Sequence, residues 1–126
     1  MKEIVVSSMA PKPIGPYSQG VVSGNYIFLS GQVGRKHDST KLENGVADQT
    51  RQTILNIKAV LTEKNLTLDN VVKTTVFLAD MNDFAEMNKS YAEFFDEDKA
   101  PARSTVQVAR LPLDADVEIE VMASLD

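Results

Sequence analysis

The fold is decided by residues 46–78, whose sequence is VADQTRQTILNIKAVLTEKNLTLDNVVKTTVFL. Residues of the first part that share one helical face recur every three or four positions: Ala47, Thr50, Ile54, Ile57 and Leu61. This spacing predicts an amphipathic helix over Val46–Asn65 with one buried stripe. Val71–Leu78 is rich in β-branched residues and predicts a strand. A long helix followed directly by a strand indicates a mixed α and β architecture.

Short strands are predicted on the amino-terminal side of this unit. Lys2–Val6 is a β-prone run, and Tyr17–Val22 and Tyr26–Gly31 flank Ser23-Gly24-Asn25, which is a hairpin signal. Several prolines between the first two runs predict a loop of fixed shape. The polar segment Gln32–Gly45 is expected to be a mobile loop.

A second helix is predicted to start near Asn82-Asp83, where Asp83 and Glu86 have the spacing of a capping box. The apolar side chains of this region are expected to be core rather than a cofactor pocket: Phe84, Met87, Tyr91, Phe94 and Phe95.

Two more strands follow, Arg103–Val108 and Val117–Ala123, joined by the connection Arg110–Asp114. In the last strand apolar residues alternate with Glu118, Glu120 and Met122, so one face is predicted to be buried. The element order predicts an α+β fold in which two helices cover one face of a mixed sheet. The other face needs cover as well, which indicates a subunit of an oligomer. The length of 126 residues predicts one domain over residues 1–126.

Composition disfavours several classes of function. The chain has no cysteine, which removes thiolate nucleophiles and sulfur-ligated zinc. Its net charge of −5 lacks the general attraction for phosphates, so no nucleic-acid partner is expected. The basic run Arg35-Lys36-His37 is interpreted as a solvated loop. The apolar run near the amino terminus is too short for a signal peptide and no stretch is long enough to span a membrane, so we expect a cytoplasmic protein.

The usual devices for cofactors and nucleophilic catalysis are missing from the sequence. The single histidine, His37, lies in the polar loop, there is no G-x-S-x-G motif, and glycine-rich phosphate loops are absent. The acidic run Asp96-Glu97-Asp98 lacks the spacing of a calcium loop. We therefore expect no metal and no cofactor.

Four polar residues remain on β-prone elements: Tyr17, Ser30, Arg103 and Glu118. Arginine suits a planar carboxylate because it offers two parallel charge-assisted hydrogen bonds. A carboxylate in an apolar strand is able to accept a proton or hold a water molecule. On spacing alone, a surface ion pair for Arg103 and a solvent-facing strand position for Glu118 are the favoured interpretations.

The chain resembles the RidA/YjgF family of reactive-intermediate deaminases over its whole length. The most specific motif is PARSTVQVARLP at Pro101–Pro112. The other matching motifs are Ile14–Gly20, Leu29–Gln32, Val72–Leu78, Met81–Phe84 and Val117–Glu120. The resemblance implies a chorismate-mutase-like α+β unit that forms a homotrimer with three clefts between subunits. It also implies hydrolysis of 2-imino acids to 2-oxo acids and ammonia, which protects pyridoxal-phosphate enzymes from reactive enamines.

The same resemblance implies roles for individual residues. Arg103 would hold the substrate carboxylate with help from the backbone N–H of Thr105, and Glu118 would position or activate water. Residues implied to shape the cleft are Tyr17, Ser30, Gly31 and Asn88. Many members have cysteine at the position of Thr105, so thiol-dependent behaviour is not expected. Two other functions remain open: a non-catalytic module that binds 2-oxo acids, and an endoribonuclease.

Overall fold

The computed structural model describes all residues 1–126 and contains one six-stranded sheet with two α-helices. The elements are β1 (Glu3–Val5), β2 (Gly20–Ser23), β3 (Tyr26–Val33), α1 (Gly45–Thr62), β4 (Val71–Leu78), α2 (Phe84–Tyr91), β5 (Ala102–Gln107) and β6 (Val117–Ser124). The strand order is β1-β2-β3-β6-β4-β5, and only β4 and β5 run parallel. The predicted mixed α+β architecture is therefore confirmed.

The core lies between one face of the sheet and the two helices. The alternation predicted for the last strand is confirmed, because Val117 and Ile119 are fully buried while Glu120 is exposed. Ile54 and Ile57 of α1 pack into the same cluster of 20 buried residues. A helix stripe and a strand face of complementary shape bury each other, and this apolar burial is the main force that holds the layers together.

The opposite face of the sheet, which we call the outer face, carries apolar side chains that no helix covers. Phe28 on β3 and Val106 on β5 are each 43% exposed. Phe77 of β4 belongs to this face, because it is the register partner of both Val106 and Glu118. The expectation that two helices cover only one face therefore agrees with the structure.

The predicted capping box at the second helix is wrong. Asp83 makes no side-chain capping bond, and a 3-10 turn over Met81–Asp83 precedes α2. The cap lies three residues earlier, where the Asp80 side chain accepts a hydrogen bond from the Asn82 N–H at 2.9 Å. The first free N–H groups belong to the 3-10 turn rather than to α2, and a cap forms where such groups begin.

Several other boundaries also differ from the predicted ones. β2 begins at Gly20 rather than Tyr17, since the preceding Gln19 turns its side chain inward to bond the loop that follows β1. β3 continues to Val33, two residues into the segment expected to be a loop. The rest of that segment is tied by a bridge between Arg35 and Leu42.

Neither α-helix combines the length and apolar character that a membrane crossing requires.

Candidate functional site

Arg103 stands on the edge strand β5, opposite Thr74 of β4, and its side chain points toward α2. Its guanidinium carbon lies 4.7 Å from the centroid of the Tyr91 ring and 5.6 Å from that of Phe84. The chain's five ion pairs all use other residues. Arg103 is thus a half-buried cation without a carboxylate partner in its own chain.

The ring below this guanidinium is itself fixed. The Tyr91 hydroxyl and the Thr74 hydroxyl are hydrogen-bonded at 2.8 Å, and the Phe95 ring lies 4.6 Å from the Tyr91 ring. Burial raises the pKa of Tyr91, while the bond from Thr74 and the charge of Arg103 act in the opposite direction. The phenol therefore stays neutral at physiological pH and offers its ring as a flat support.

Two further predicted residues lie near Arg103. Asn88 lines the same cavity as Tyr91 and Arg103. Thr105 lies two residues along β5 on the same face, and its hydroxyl oxygen is buried without a hydrogen-bond partner. The Val108 N–H donates to the Leu78 carbonyl oxygen at 2.9 Å. The Val108 N–H therefore points toward β4. N–H groups alternate in direction along a strand, so the Thr105 N–H, three residues earlier, points to the open edge of the sheet.

Glu118 belongs to a second group of predicted residues. Its carboxyl is half-buried on β6, and burial raises its pKa, with a smaller contribution from the negative charge of Glu120. Gly31 lies directly against this carboxyl, since a Cβ at that position would be only 2.8 Å from the Glu118 Cδ. Only a glycine permits the strand to approach this closely without displacing Glu118.

A cavity beside Glu118 is lined by Tyr17, Gly31 and Glu118, together with Lys12 and Arg35. Tyr17 is half exposed at 50% and projects from the proline-rich loop. Ser30 takes a different part, because its hydroxyl donates to the Ser18 carbonyl oxygen at 2.6 Å. That bond occupies the hydroxyl proton, so Ser30 holds the loop in place and is not a free donor to a ligand.

The two groups of predicted residues lie on opposite faces of the sheet. Thr74 is the register partner of Arg103, and Phe77 of the same strand is the register partner of Glu118. Residues three apart on a strand point to opposite sides. The side chain of Arg103 therefore faces α2, while that of Glu118 belongs to the outer face. One chain brings Asn88, Arg103 and Thr105 together, and separately Tyr17, Gly31 and Glu118.

A family model described as Endoribonuclease L-PSP, the YjgF/RidA family, matches residues 7–125. The chain belongs to this family. The match covers every element that carries the two groups of residues.

Relatives of this YjgF/RidA member are similar over nearly their full length. A RutC family protein of Pyrococcus horikoshii is 50% identical over 124 residues, covering 98% of both chains. The 2-iminobutanoate/2-iminopropanoate deaminase of Escherichia coli is 46% identical over 125 residues, again covering 98% of both. The crystal structure of E. coli TdcF with bound serine has a TM-score of 0.91 at 44% identity, covering 97% of this chain and 98% of that one.

Three residues of this YjgF/RidA chain escaped the sequence interpretation. Tyr91 and Phe84 are predicted to be core, yet both contact Arg103, and Phe84 is 38% exposed. Their spacing of seven residues, two helical turns, places them on one helical face but does not distinguish a core stripe from a support for a charged group. Gln19 is buried and bonds the backbone of Ser7, Ala10 and Pro11. No pattern in the sequence indicates this, since the contacts span up to 12 residues of irregular loop.

No cluster of three or more acidic or histidine side chains is arranged to hold a metal.

Proposed function

We propose that this protein hydrolyses 2-imino acids, such as 2-iminopropanoate and 2-iminobutanoate, to 2-oxo acids and ammonia in clefts between the subunits of a homotrimer. The observation that carries the proposal is Arg103, a cation backed by aromatic rings and free of any ion pair in its chain. The name of the E. coli relative, 46% identical over 98% of this chain, supports the substrate class.

The separation of the two residue groups supports an inter-subunit site. Arg103 and Glu118 project from opposite faces, so a single chain does not present both to one small molecule. Head-to-tail interfaces of a cyclic assembly join different surfaces of neighbouring subunits, so the Arg103 side of one subunit would meet the Glu118 side of the next. The exposed apolar residues of the outer face, including Phe28 and Val106, supply surface that association would bury.

Binding would rest on the carboxylate that every 2-imino acid carries. The Arg103 guanidinium donates two parallel hydrogen bonds to it, and the outward N–H of Thr105 adds a third. The E. coli TdcF structure contains serine, which also carries a carboxylate next to a nitrogen-bearing carbon. Asn88 and Tyr17 would enclose the substrate from the two sides of the cleft.

Hydrolysis would then need one oriented water molecule. Water adds to C2 of the protonated imine and gives up a proton to Glu118, forming a carbinolamine. Glu118 returns the proton to nitrogen, the C–N bond breaks, and the C2 hydroxyl gives its proton to Glu118 as it becomes the carbonyl of the 2-oxo acid. The departing ammonia takes up that proton and leaves as ammonium. An iminium ion and water thus yield a 2-oxo acid and ammonium, and the raised pKa of Glu118 brings it closer to the operating pH.

In the cell, this reaction would remove the enamine and imine products that pyridoxal-phosphate-dependent dehydratases release. Those products react with other pyridoxal-phosphate enzymes, so their hydrolysis would protect such enzymes.

The proposal is tested by adding the purified protein to a threonine or serine dehydratase reaction and following 2-oxo acid formation. The protein should speed the release of 2-oxo acid, and Arg103→Ala should abolish the effect while the oligomer remains intact. Arg51→Ala is the matched control, because Arg51 is an exposed arginine paired with Asp48 and Glu93 and lines neither cavity. Full activity in Arg103→Ala would refute the mechanism.

The second candidate is a module that binds a small carboxylate without turning it over. The serine held by E. coli TdcF, 44% identical, favours this candidate. Calorimetry that detects binding of 2-oxobutanoate, together with no rate effect in the dehydratase assay, would select it over the deaminase.

A further inference from the structure

Arg103 has a long flexible side chain, yet no salt bridge in its own chain restrains its charged end. The guanidinium lies over two aromatic rings, and both of them belong to α2. A guanidinium that lies over a ring within about 6 Å of its centroid is attracted by the electrons of the ring face. Stacking of this kind uses the flat face of the guanidinium and leaves the N–H groups at its edge free.

We propose that Tyr91 is a positioning residue, whose ring fixes the plane of the Arg103 guanidinium before a carboxylate arrives. The identity of that carboxylate as an imino acid rests on the proposed function, whereas the positioning does not. Bidentate recognition requires the guanidinium and the carboxylate to be nearly coplanar, so a fixed plane reduces the freedom lost on binding.

Tyr91 is suited to this role because its own ring is held from two sides. Its hydroxyl bonds Thr74, which is fully buried and is the register partner of Arg103, and its ring packs on Phe95. Only 5% of Tyr91 is exposed. A contact chain therefore runs from the centre of β4, through the phenol, to the guanidinium on β5.

Phe84 makes the weaker contact. Its ring lies 5.6 Å from the guanidinium carbon, compared with 4.7 Å for Tyr91, and 38% of the residue is exposed. We therefore assign the main restraint to Tyr91, and Phe84→Leu provides a graded comparison within the same helix.

The restraint is measured directly by the ¹⁵N–¹H signal of the Arg103 Nε–H, assigned by its loss in Arg103→Lys. Stacking predicts a sharp signal that the ring shifts upfield from the position of a free arginine. Tyr91→Phe should keep this shift, because the ring stays, but should broaden the signal, because the bond to Thr74 is lost. Tyr91→Leu should return the signal to the free position. Phe84→Leu should shift it only in part. A wild-type signal at the free position, or an unchanged signal in Tyr91→Leu, would overturn the proposal.

Binding of 2-oxobutanoate, measured by calorimetry, tests the consequence. Tyr91→Leu should raise the Kd about tenfold, whereas Tyr91→Phe should stay within about twofold of wild type. If Tyr91→Leu fails to fold, Thr74→Val serves instead, since it frees the phenol from its anchor while keeping the shape of the buried side chain. Thr74→Val should broaden the Arg103 signal, and an unaltered signal would contradict the contact chain.

These outcomes separate the positioning from the deaminase activity. The nuclear magnetic resonance experiment uses neither substrate nor turnover. A shifted Arg103 signal in a protein that gives no rate effect would refute the proposed function and leave the positioning intact. An active enzyme with an unshifted Arg103 signal would refute the positioning and leave the proposed function intact.

Discussion

Arg103 and Glu118 project from opposite faces of one sheet, because the β4 residues that pair with them, Thr74 and Phe77, are three positions apart. Both residues are implied to act on the same small substrate. If they do, the two groups meet only when Arg103 of one subunit approaches Glu118 of another. The sheet would then separate the carboxylate-binding half of one cleft from the water-activating half of the next.

Replacing Arg103 by lysine should lower kcat/KM by about a hundredfold or more. Lysine keeps the charge but presents it as a point, so it loses the bidentate geometry and the flat stacking on Tyr91. Initial rates of 2-oxo acid formation over a range of imino acid concentrations measure this loss. The matched control is Arg51→Lys, which should keep a kcat/KM near that of wild type. A wild-type kcat/KM in Arg103→Lys would argue against bidentate binding of the carboxylate by Arg103.

The acid limb of the pH–rate profile should report Glu118. Burial, and then the charge of Glu120, raise the pKa of Glu118 above its ordinary value. The ionised form takes the proton from water, so activity should fall as the pH drops through this raised pKa. Glu120→Gln removes the neighbouring charge and should move the limb to lower pH. If the limb stays in place in Glu120→Gln, a group other than Glu118 controls it.

Gly31→Ala should lower the activity at least tenfold with only a modest loss of stability. The added Cβ would stand 2.8 Å from the Glu118 Cδ, so the carboxyl must move away from its present position. Gly15→Ala is a suitable control, because its Cβ would meet the Tyr17 ring at an ordinary 3.7 Å. Activity assays and thermal unfolding of both variants distinguish activity lost because the Glu118 carboxyl has moved from activity lost because the fold is destabilised. An active Gly31→Ala variant would show that this contact is dispensable.

Gln19→Leu should destabilise the fold by about 2–4 kcal/mol, since it leaves several buried backbone groups without partners. The amide accepts from the Ser7 N–H at 2.6 Å and donates to the Pro11 carbonyl oxygen at 2.9 Å, among other contacts. Denaturant unfolding at fixed protein concentration measures the change. Gln52→Leu, which loses one bond to Asn56, should cost less than about 1 kcal/mol. Equal effects of the two changes would contradict this account of the loop.

Local patterns in the sequence predicted the elements well. The strand Val71–Leu78 has the predicted bounds, and the alternation in β6 predicted its buried face, because both signals depend only on neighbouring residues. The cap at Asp80 was missed because a 3-10 turn moves the first free N–H groups, and nothing in the spacing of Asp83 and Glu86 reveals that turn.

The composition of each half of the candidate site was partly predictable, but their separation was not. Whether Arg103 and Glu118 share a face depends on the register of β5 and β6 against β4, strands that are far apart in sequence. A shift of one residue in the register of either strand would place Arg103 and Glu118 on the same face of the sheet. The support of Arg103 by Tyr91 was not predictable either. An aromatic residue on a helix has the same pattern whether it fills a core or supports a charged group.

Mixing two inactive variants tests most directly the claim that each site is shared between subunits. Arg103→Ala and Glu118→Gln chains are each expected to be inactive alone. Equal amounts co-assembled by joint expression or refolding should recover roughly a quarter of wild-type activity, the share of clefts that receive an intact Arg103 from one subunit and an intact Glu118 from its neighbour. Activity that stays at the level of the separate variants, in oligomers proven to be mixed, would contradict a shared site.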